Sequence, residues 1–265
     1  MVRAVKPVLL FDLDDTLMLK EPAAVAAFEA TAAHAGTRHR LDTTALALAA
    51  RAKARQLWLA APTHPYCRRV GISSWEGLWC RFEGEHHSLR SLRDWSGTYR
   101  REAWRLALAE QQIDDTGLAG ELGERFCAER RARQEVFSEV PDVLRQLAVS
   151  HTLGLLTNGA CCLQREKLAR SGLGPYFQAV VVAGEFGASK PDPAIFEHTL
   201  ALLGARPEDA CMIGDNLVRD IEGANAAGIA GIWLNRGSQP APAGREPDSE
   251  ISSLAELPAL LERIG

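Results

Sequence analysis

Val8-Leu9-Leu10-Phe11-Asp12-Leu13-Asp14-Asp15-Thr16 is the stretch on which the reading of this chain turns. Four consecutive apolar residues read as a strand buried on both faces. Carboxylates follow at once. Residues i and i+2 leaving an extended strand point to the same side, so Asp12 and Asp14 can face one ligand.

Outward from that strand, the chain has two textures. Beyond Val136 strands and helices alternate. Strands are expected over 151–156, 179–183, 210–213 and 230–234. Helices are expected over 141–149, 162–171, 193–203 and 221–227, the last three ending at Gly172, Gly204 and Gly228, with a closing helix over 254–264. Such alternation, with strands apolar throughout, predicts an α/β fold whose parallel sheet is covered on both faces. The Pro/Gly-rich segment 236–250 is expected to be a surface loop. Between Glu21 and about Gln134 the composition is rich in Ala, Leu, Arg and Glu, and segments 22–35, 42–60, 90–112 and 117–134 favour helix. Pro62, Pro65 and Gly71 make 61–88 the least regular stretch. The chain therefore divides into a core of 1–20 with 136–265, and an all-helical insert over 21–135.

The composition excludes several classes. The 265 residues are 46% hydrophobic, ample for a sizeable core. A net charge of −4 lacks the basic footprint of a nucleic-acid binder, and the arginines are interleaved with acids as on a solvated helical surface. The apolar run 8–11 is too short for a signal peptide, and no stretch is long enough to span a bilayer. A soluble cytoplasmic protein is expected, with a small-molecule partner and no nucleic-acid polymer or membrane. Monomer and homodimer both remain open. The six cysteines (67, 80, 127, 161, 162, 211) form no Cys-x-x-Cys pair and no zinc spacing, so they read as reduced packing residues, Cys161 and Cys162 included.

In open α/β sheets ligands bind beyond the carboxyl ends of the strands. Past the first strand come Asp12, Asp14 and Thr16. Past the second come Thr157, Asn158 and Gly159. Lys190 follows the third at a short distance. Past the fourth come Gly214, Asp215, Asn216 and then Asp220. Four strand ends thus deliver carboxylates, a hydroxyl, an amide and a lysine to one edge.

A phosphate ester is anionic, so a carboxylate nucleophile needs a cation to reach it. Oxygen ligands from Asp12 and Asp215 suit Mg²⁺. Lys190 would add positive charge on the phosphoryl oxygens and hold Asp12 in place. Thr157 and neighbouring backbone N–H groups could cradle the same oxygens. Asp12 can form an aspartyl-phosphate that water then cleaves, with Asp14 moving the protons.

The string Leu10-Phe11-Asp12-Leu13-Asp14-Asp15-Thr16-Leu17 resembles the first motif of the haloacid dehalogenase superfamily. Leu156-Thr157-Asn158-Gly159 resembles its second, Lys190-Pro191-Asp192-Pro193 its third, and Gly214-Asp215-Asn216-Leu217-Val218-Arg219-Asp220 its fourth. Order and spacing also match, across about 1–20 and 136–265. The resemblance implies a Rossmann-like three-layer α/β/α core with a helical cap of the C1 type. It implies Asp12 as nucleophile and Asp14 as general acid/base. Mg²⁺ would be held by Asp12, the Asp14 carbonyl and Asp215, with Asp220 as a ligand or acting through water. Thr157, Asn158 and Lys190 would receive the phosphate. The stretch 177–234 is most similar to the N-acylneuraminate-9-phosphatase and nucleotidase-type branch.

The expected function is a Mg²⁺-dependent phosphatase for a small metabolite: a sugar phosphate, an acyl-sugar phosphate or a nucleoside monophosphate. A phosphomutase or dehalogenase on the same fold, or a non-catalytic phosphate-binding module, is the alternative. A dehalogenase needs no proton donor for halide, and Asp14 argues against it. Asp215 also suits a helix N-cap. Asn216 and Asp192 read as turn or cap residues, and Asp15 as local structure. His86, His87 and the tryptophans of the insert could read a substrate, although aromatic side chains in a helical region are more often core.

Overall fold

A computed structural model of the chain describes residues 7–242 and 247–264. Residues 1–6, the middle of the expected 236–250 loop (243–246) and Gly265 lie outside the described residues.

The described residues form two compact units. One comprises the chain up to Leu19, Val136–Asn158, and everything from Leu168 on; the other comprises Lys20–Glu135 together with Gly159–Lys167.

The first unit is built on six parallel strands: β1 (Val8–Phe11), β2 (Thr152–Thr157), β3 (Ala179–Val182), β4 (Ala210–Gly214), β5 (Ala230–Leu234) and β6 (Ser249–Ile251). Their order is β3-β2-β1-β4-β5-β6. β1 lies at the centre because its four side chains are all buried, as a strand covered on both faces requires. Phe11 is paired with Leu155 on one side and with Ile213 on the other. The chain leaves β1 toward β2 and β3 in one direction and toward β4, β5 and β6 in the other. The carboxyl ends of β1 and β4 therefore flank the point where the strand order reverses, the position at which open α/β sheets bind ligands.

One face of the sheet carries Leu9, Phe11, Leu153, Leu155, Ile213 and Ile232, packed with Val140, Leu144 and Leu147 from one helix and Leu257 from another. Each large apolar side chain so buried contributes ~1.5–3 kcal/mol. β6 corrects the expectation of a loop over 236–250: its last two residues, Ser249 and Glu250, join Ile251 in a strand that extends the sheet, pairing Leu234 with Ile251. The strand is short, and Pro and Gly around it mask its signal.

The helices, in chain order, are α1 (Glu21–Gly36), α2 (Thr43–Ala60), α3 (His64–Val70), α4 (Ser74–Gly77), α5 (His87–Glu110), α6 (Thr116–Ala132), α7 (Val140–Ser150), α8 (Cys161–Ser171), α9 (Ala183–Phe186), α10 (Pro193–Leu203), α11 (Gly223–Ala226) and α12 (Leu257–Ile264). The first six belong to the helical unit, joined there by the first turns of α8. The stretch 61–88 is not wholly irregular, because α3 and α4 form within it. α3 ends at Gly71 in a left-handed conformation, and α4 starts with a Ser73/Glu76 capping box.

The tryptophans mostly serve this unit's core. Trp58, Trp79 and Trp104 are buried. Phe28 packs 4.4 Å from Phe126, and Tyr99 lies 4.5 Å from Trp95 and 5.5 Å from Trp58, ring centre to ring centre. The buried Tyr99 hydroxyl donates to the carbonyls of Ala54 and Ser74, as a polar tip inside a core must. Gly77 is required by packing, since a Cβ there would fall 2.3 Å from the Trp58 ring.

Candidate active site

The backbone delivers the functional groups. Asp12 extends β1 by one residue, and its N–H donates to the Ile213 carbonyl of β4. Asp12 is almost wholly buried, at 7% exposure. The following residues turn sharply: the Asp15 N–H donates to the Met18 carbonyl, and Asp15 adopts a positive φ of 60°, a conformation Asp tolerates better than most. This agrees with a local structural part for Asp15.

Lys190 is the hub. Its ammonium lies 2.6 Å from Asp12 Oδ1 and 2.7 Å from Asp220 Oδ1, and it donates to the Leu156 carbonyl at 2.7 Å. All three side chains are buried. Burial works against the lysine's charge, but the carboxylates of Asp12 and Asp220 outweigh it and raise its pKa above the ordinary value.

Asn158 fixes this lysine through its backbone. Its Oδ1 accepts from the Lys190 N–H at 2.9 Å, and its Nδ2 donates to the Lys190 carbonyl at 3.0 Å. Both ends of the amide are engaged, which spacing and composition do not reveal. The Thr157 side chain is buried at the end of β2, beside this pair.

The loop after β4 is tied to the loop after β1 by Thr16. Its Oγ1 accepts from the Asp215 N–H at 3.1 Å and lies 3.4 Å from Asp215 Oδ1. Trp233 Nε1 donates to the Asp215 carbonyl at 2.8 Å. Asn216 caps the wide helical turn Leu217–Glu222 by accepting from the Arg219 N–H, the part expected of it. Asp215 therefore leaves the N-cap to its neighbour. Asp220 accepts from the Asn216 N–H at 3.0 Å. Gly214 permits this fold-back: a Cβ there would lie 2.4 Å from the Asp220 carboxylate.

Asp12, Asp215 and Asp220 each bring a carboxylate oxygen within 4.8 Å of the others. The electrostatics record the crowding. Burial raises the Asp12 carboxyl to about 6; Lys190 opposes this, while Asp220 and Asp14 add to it. Burial raises Asp215 to about 8, reinforced by Asp12, Asp220 and Asp15. Among the described residues, Lys190 is the one ammonium paired with these acids, so three crowded carboxylates face a single positive charge. A donor set made wholly of hard oxygens with uncompensated charge fits a divalent cation such as Mg²⁺. Asp14 lies close enough for its charge to act on Asp12.

The helical unit contains a cavity of about 1070 Å³ lined by Tyr66, Arg68, Arg69, His86, His87 and Trp95 among others. His86 stacks between Tyr66 and His87, with ring centres at 4.6 and 4.4 Å. The two histidines singled out in the sequence are thus brought together at a concave surface. No helix of the described residues is long and apolar enough to cross a membrane.

Comparison with known proteins places this arrangement. A family model described as haloacid dehalogenase-like hydrolase matches residues 7–228. The phosphoserine phosphatase of Thermus thermophilus is 36% identical over 250 residues, covering 94% of this chain and 96% of the relative. The N-acylneuraminate-9-phosphatase of Rattus norvegicus is 38% identical over 169 residues, 62% of this chain and 68% of that one. Among solved structures, the HAD-hydrolase YfnB of Bacillus subtilis, determined with magnesium bound, superimposes with a TM-score of 0.65 at 22% identity, over 97% of this chain and 99% of that one.

Proposed function

The chain belongs to the haloacid dehalogenase-like hydrolases, and we propose that it is a Mg²⁺-dependent phosphatase of small phosphomonoesters that works through an aspartyl-phosphate on Asp12. The observation that carries this reading is the Asp12 carboxylate held at 2.6 Å by a buried Lys190, with Asp215 and Asp220 beside it.

Asp12, Asp215 and Asp220 would hold the metal, with the Asp14 carbonyl. When bound, Mg²⁺ offsets the repulsion between carboxylate and phosphate and stabilises the charge that builds up in transfer. Lys190 restrains Asp12 in one rotamer and adds positive charge where the phosphoryl oxygens gather. Thr157 contributes a hydroxyl to the same oxygens. Asn158 acts on them through Lys190, whose backbone it clamps. The Asp12 oxygen attacks phosphorus, and the ester oxygen leaves with a proton from Asp14. Asp14 then takes a proton from the water that cleaves the acyl-phosphate, restoring both groups. General acid–base help of this kind contributes ~10²–10⁴ in rate.

The substrate is a phosphorylated small metabolite. O-phosphoserine is the first candidate, because the match to the phosphoserine phosphatase covers 94% of the chain and so includes the helical insert. N-acylneuraminate 9-phosphate, sugar phosphates and nucleoside monophosphates complete the panel.

The test is turnover of this panel with Mg²⁺, ranked by kcat/KM, together with two variants. Asp12→Asn is expected to lower kcat at least ~10³-fold with the fold retained. Asp14→Asn is expected to lose turnover, and phospho-enzyme trapped in that variant with p-nitrophenyl phosphate, whose leaving group needs no proton, would support the two-step scheme. Substantial hydrolysis of p-nitrophenyl phosphate by Asp12→Asn would remove Asp12 as nucleophile.

A further inference from the structure

Two cysteines far apart in sequence meet in the helical unit. Cys80 Sγ lies 3.6 Å from Cys162 Sγ. Cys80 is fully buried at the end of the turn after α4, and Cys162, half-buried, stands in the first turn of α8. The backbone between Cys80 and Glu83 is bent so that its amides meet sulfur. The Phe82 N–H donates to Cys80 Sγ at 3.3 Å, and the amides of Phe82 and Glu83 also act on Cys162. Phe82 holds this bend with a φ of +52°, a left-handed conformation that a bulky residue rarely adopts. Strain of this kind persists where the surroundings enforce it.

We propose that Cys162 is a site of oxidation by peroxides and that Cys80 resolves it, giving a Cys80–Cys162 disulfide. Neither cysteine belongs to the phosphate chemistry, and the pair stands whether or not that reading holds.

The chemistry balances. The Cys162 thiolate attacks one peroxide oxygen, the O–O bond breaks, and the departing hydroxide takes up a proton. Cys162 is now a sulfenic acid. Cys80 gives up its proton and its sulfur attacks Cys162 sulfur. The S–O bond breaks, and hydroxide leaves with that proton as water. Two thiols lose two electrons in total, and hydrogen peroxide becomes two waters.

The environments divide the roles. Cys162 is the nucleophile: the hydrogen bond from Cys80 and the two amides bring its thiol down to about 6, against burial and the Glu83 charge. Burial pushes Cys80 well up, so it remains a protonated donor until its partner is oxidised. A thiolate with solvent access beside a second thiol is the arrangement that makes sulfenic acid and then a disulfide. The bond needs a sulfur separation of ~2.05 Å, which side-chain rotation must supply from the present contact.

The experiment treats the full chain, with Mg²⁺, with a small excess of hydrogen peroxide and counts thiols after denaturation. Loss of two of the six thiols, a Cys80–Cys162 cross-linked peptide by mass spectrometry, and full recovery with dithiothreitol are expected. Cys162→Ser should retain its remaining thiols under the same treatment. Cys80→Ser should stop at a Cys162 sulfenic acid, trapped by dimedone. Should Cys80→Ser misfold, the cross-linked peptide of the native chain still decides the matter. Six surviving thiols, or a bridge between any other pair, would overturn the proposal. Turnover is not read, so a failure of the phosphatase assignment leaves this result untouched.

Discussion

Asn158 grips Lys190 by both ends of its amide. Removing that grip tests whether the lysine's place depends on it. Asn158→Ala leaves a buried lysine segment without two hydrogen bonds, a loss of ~1–3 kcal/mol. The ammonium, still present, shifts from Asp12, and misplacement of a catalytic group by about 1 Å can cost ~10²-fold. A fall in kcat with a much smaller change in KM is expected, measured by steady-state kinetics beside thermal unfolding. Unchanged kcat would remove Asn158 from the machinery. Gly214→Ala tests close packing at the same scale. Its Cβ would lie 2.4 Å from the Asp220 carboxylate, so a stability loss of ~1–3 kcal/mol is expected by denaturant titration. Asp12, Lys190 and Asp215 are legible in the sequence, because each follows an apolar strand and its charge has no other evident use there. The part played by Asn158 is not. Asn-Gly is an ordinary turn pair, and its partner lies 32 residues away. Thr16 is similarly hidden: its bond to the Asp215 N–H spans 199 residues.

Elements show a second kind of hidden dependence. Strands β1 to β5 are visible in the chain because each is a short apolar run, whereas the polar β6 is not. The allegiance of α8 is not, since its first turns cluster with the helical unit and its remainder with the sheet. The tie is a buried ion pair. Lys167 Nζ lies 2.8 Å from Glu76 Oε1, each side chain 3% exposed, and Lys20 approaches the other oxygen at 3.6 Å. Breaking a buried pair costs up to ~3–5 kcal/mol, and here Lys20 and the Ser73 donors to Glu76 reduce that loss. Lys167→Met is therefore expected to destabilise, by less than that upper figure. The double variant Glu76→Gln with Lys167→Met should recover part of the loss, as a double-mutant cycle would register. At the start of the same helix, Cys162 is faced by Cys80, Glu83 and the Tyr66 ring. Its thiol falls from 9.0 to about 6. The thiolate forms as pH rises through that value, so iodoacetamide labelling of Cys162 should climb through pH ~6 and be near its plateau at neutral pH. Labelling that rises only toward pH 9 would show an ordinary thiol.

For the molecule as a whole, the proposed metal site and the stability of the fold pull against each other. Folding brings Asp12, Asp215 and Asp220 within 4.8 Å of one another, against one lysine. Without a cation, that convergence costs free energy that the apolar sheet must supply. Bound Mg²⁺ would return it, because a ligand that binds only the native state stabilises by about 2.7 kcal/mol at a hundred times its Kd. Two results should follow together. Mg²⁺ should raise the unfolding temperature of the native chain, and EDTA should abolish the rise. Asp215→Asn should unfold at a higher temperature than the native chain in EDTA, since an amide removes one of the crowded carboxylates while keeping an acceptor for the Thr16 hydroxyl. That variant should show little further gain from Mg²⁺. Differential scanning calorimetry of both proteins, with and without Mg²⁺, separates the cases. If Asp215→Asn were less stable than the native chain in EDTA and still stabilised by Mg²⁺, the carboxylate would be structural and the cation held elsewhere.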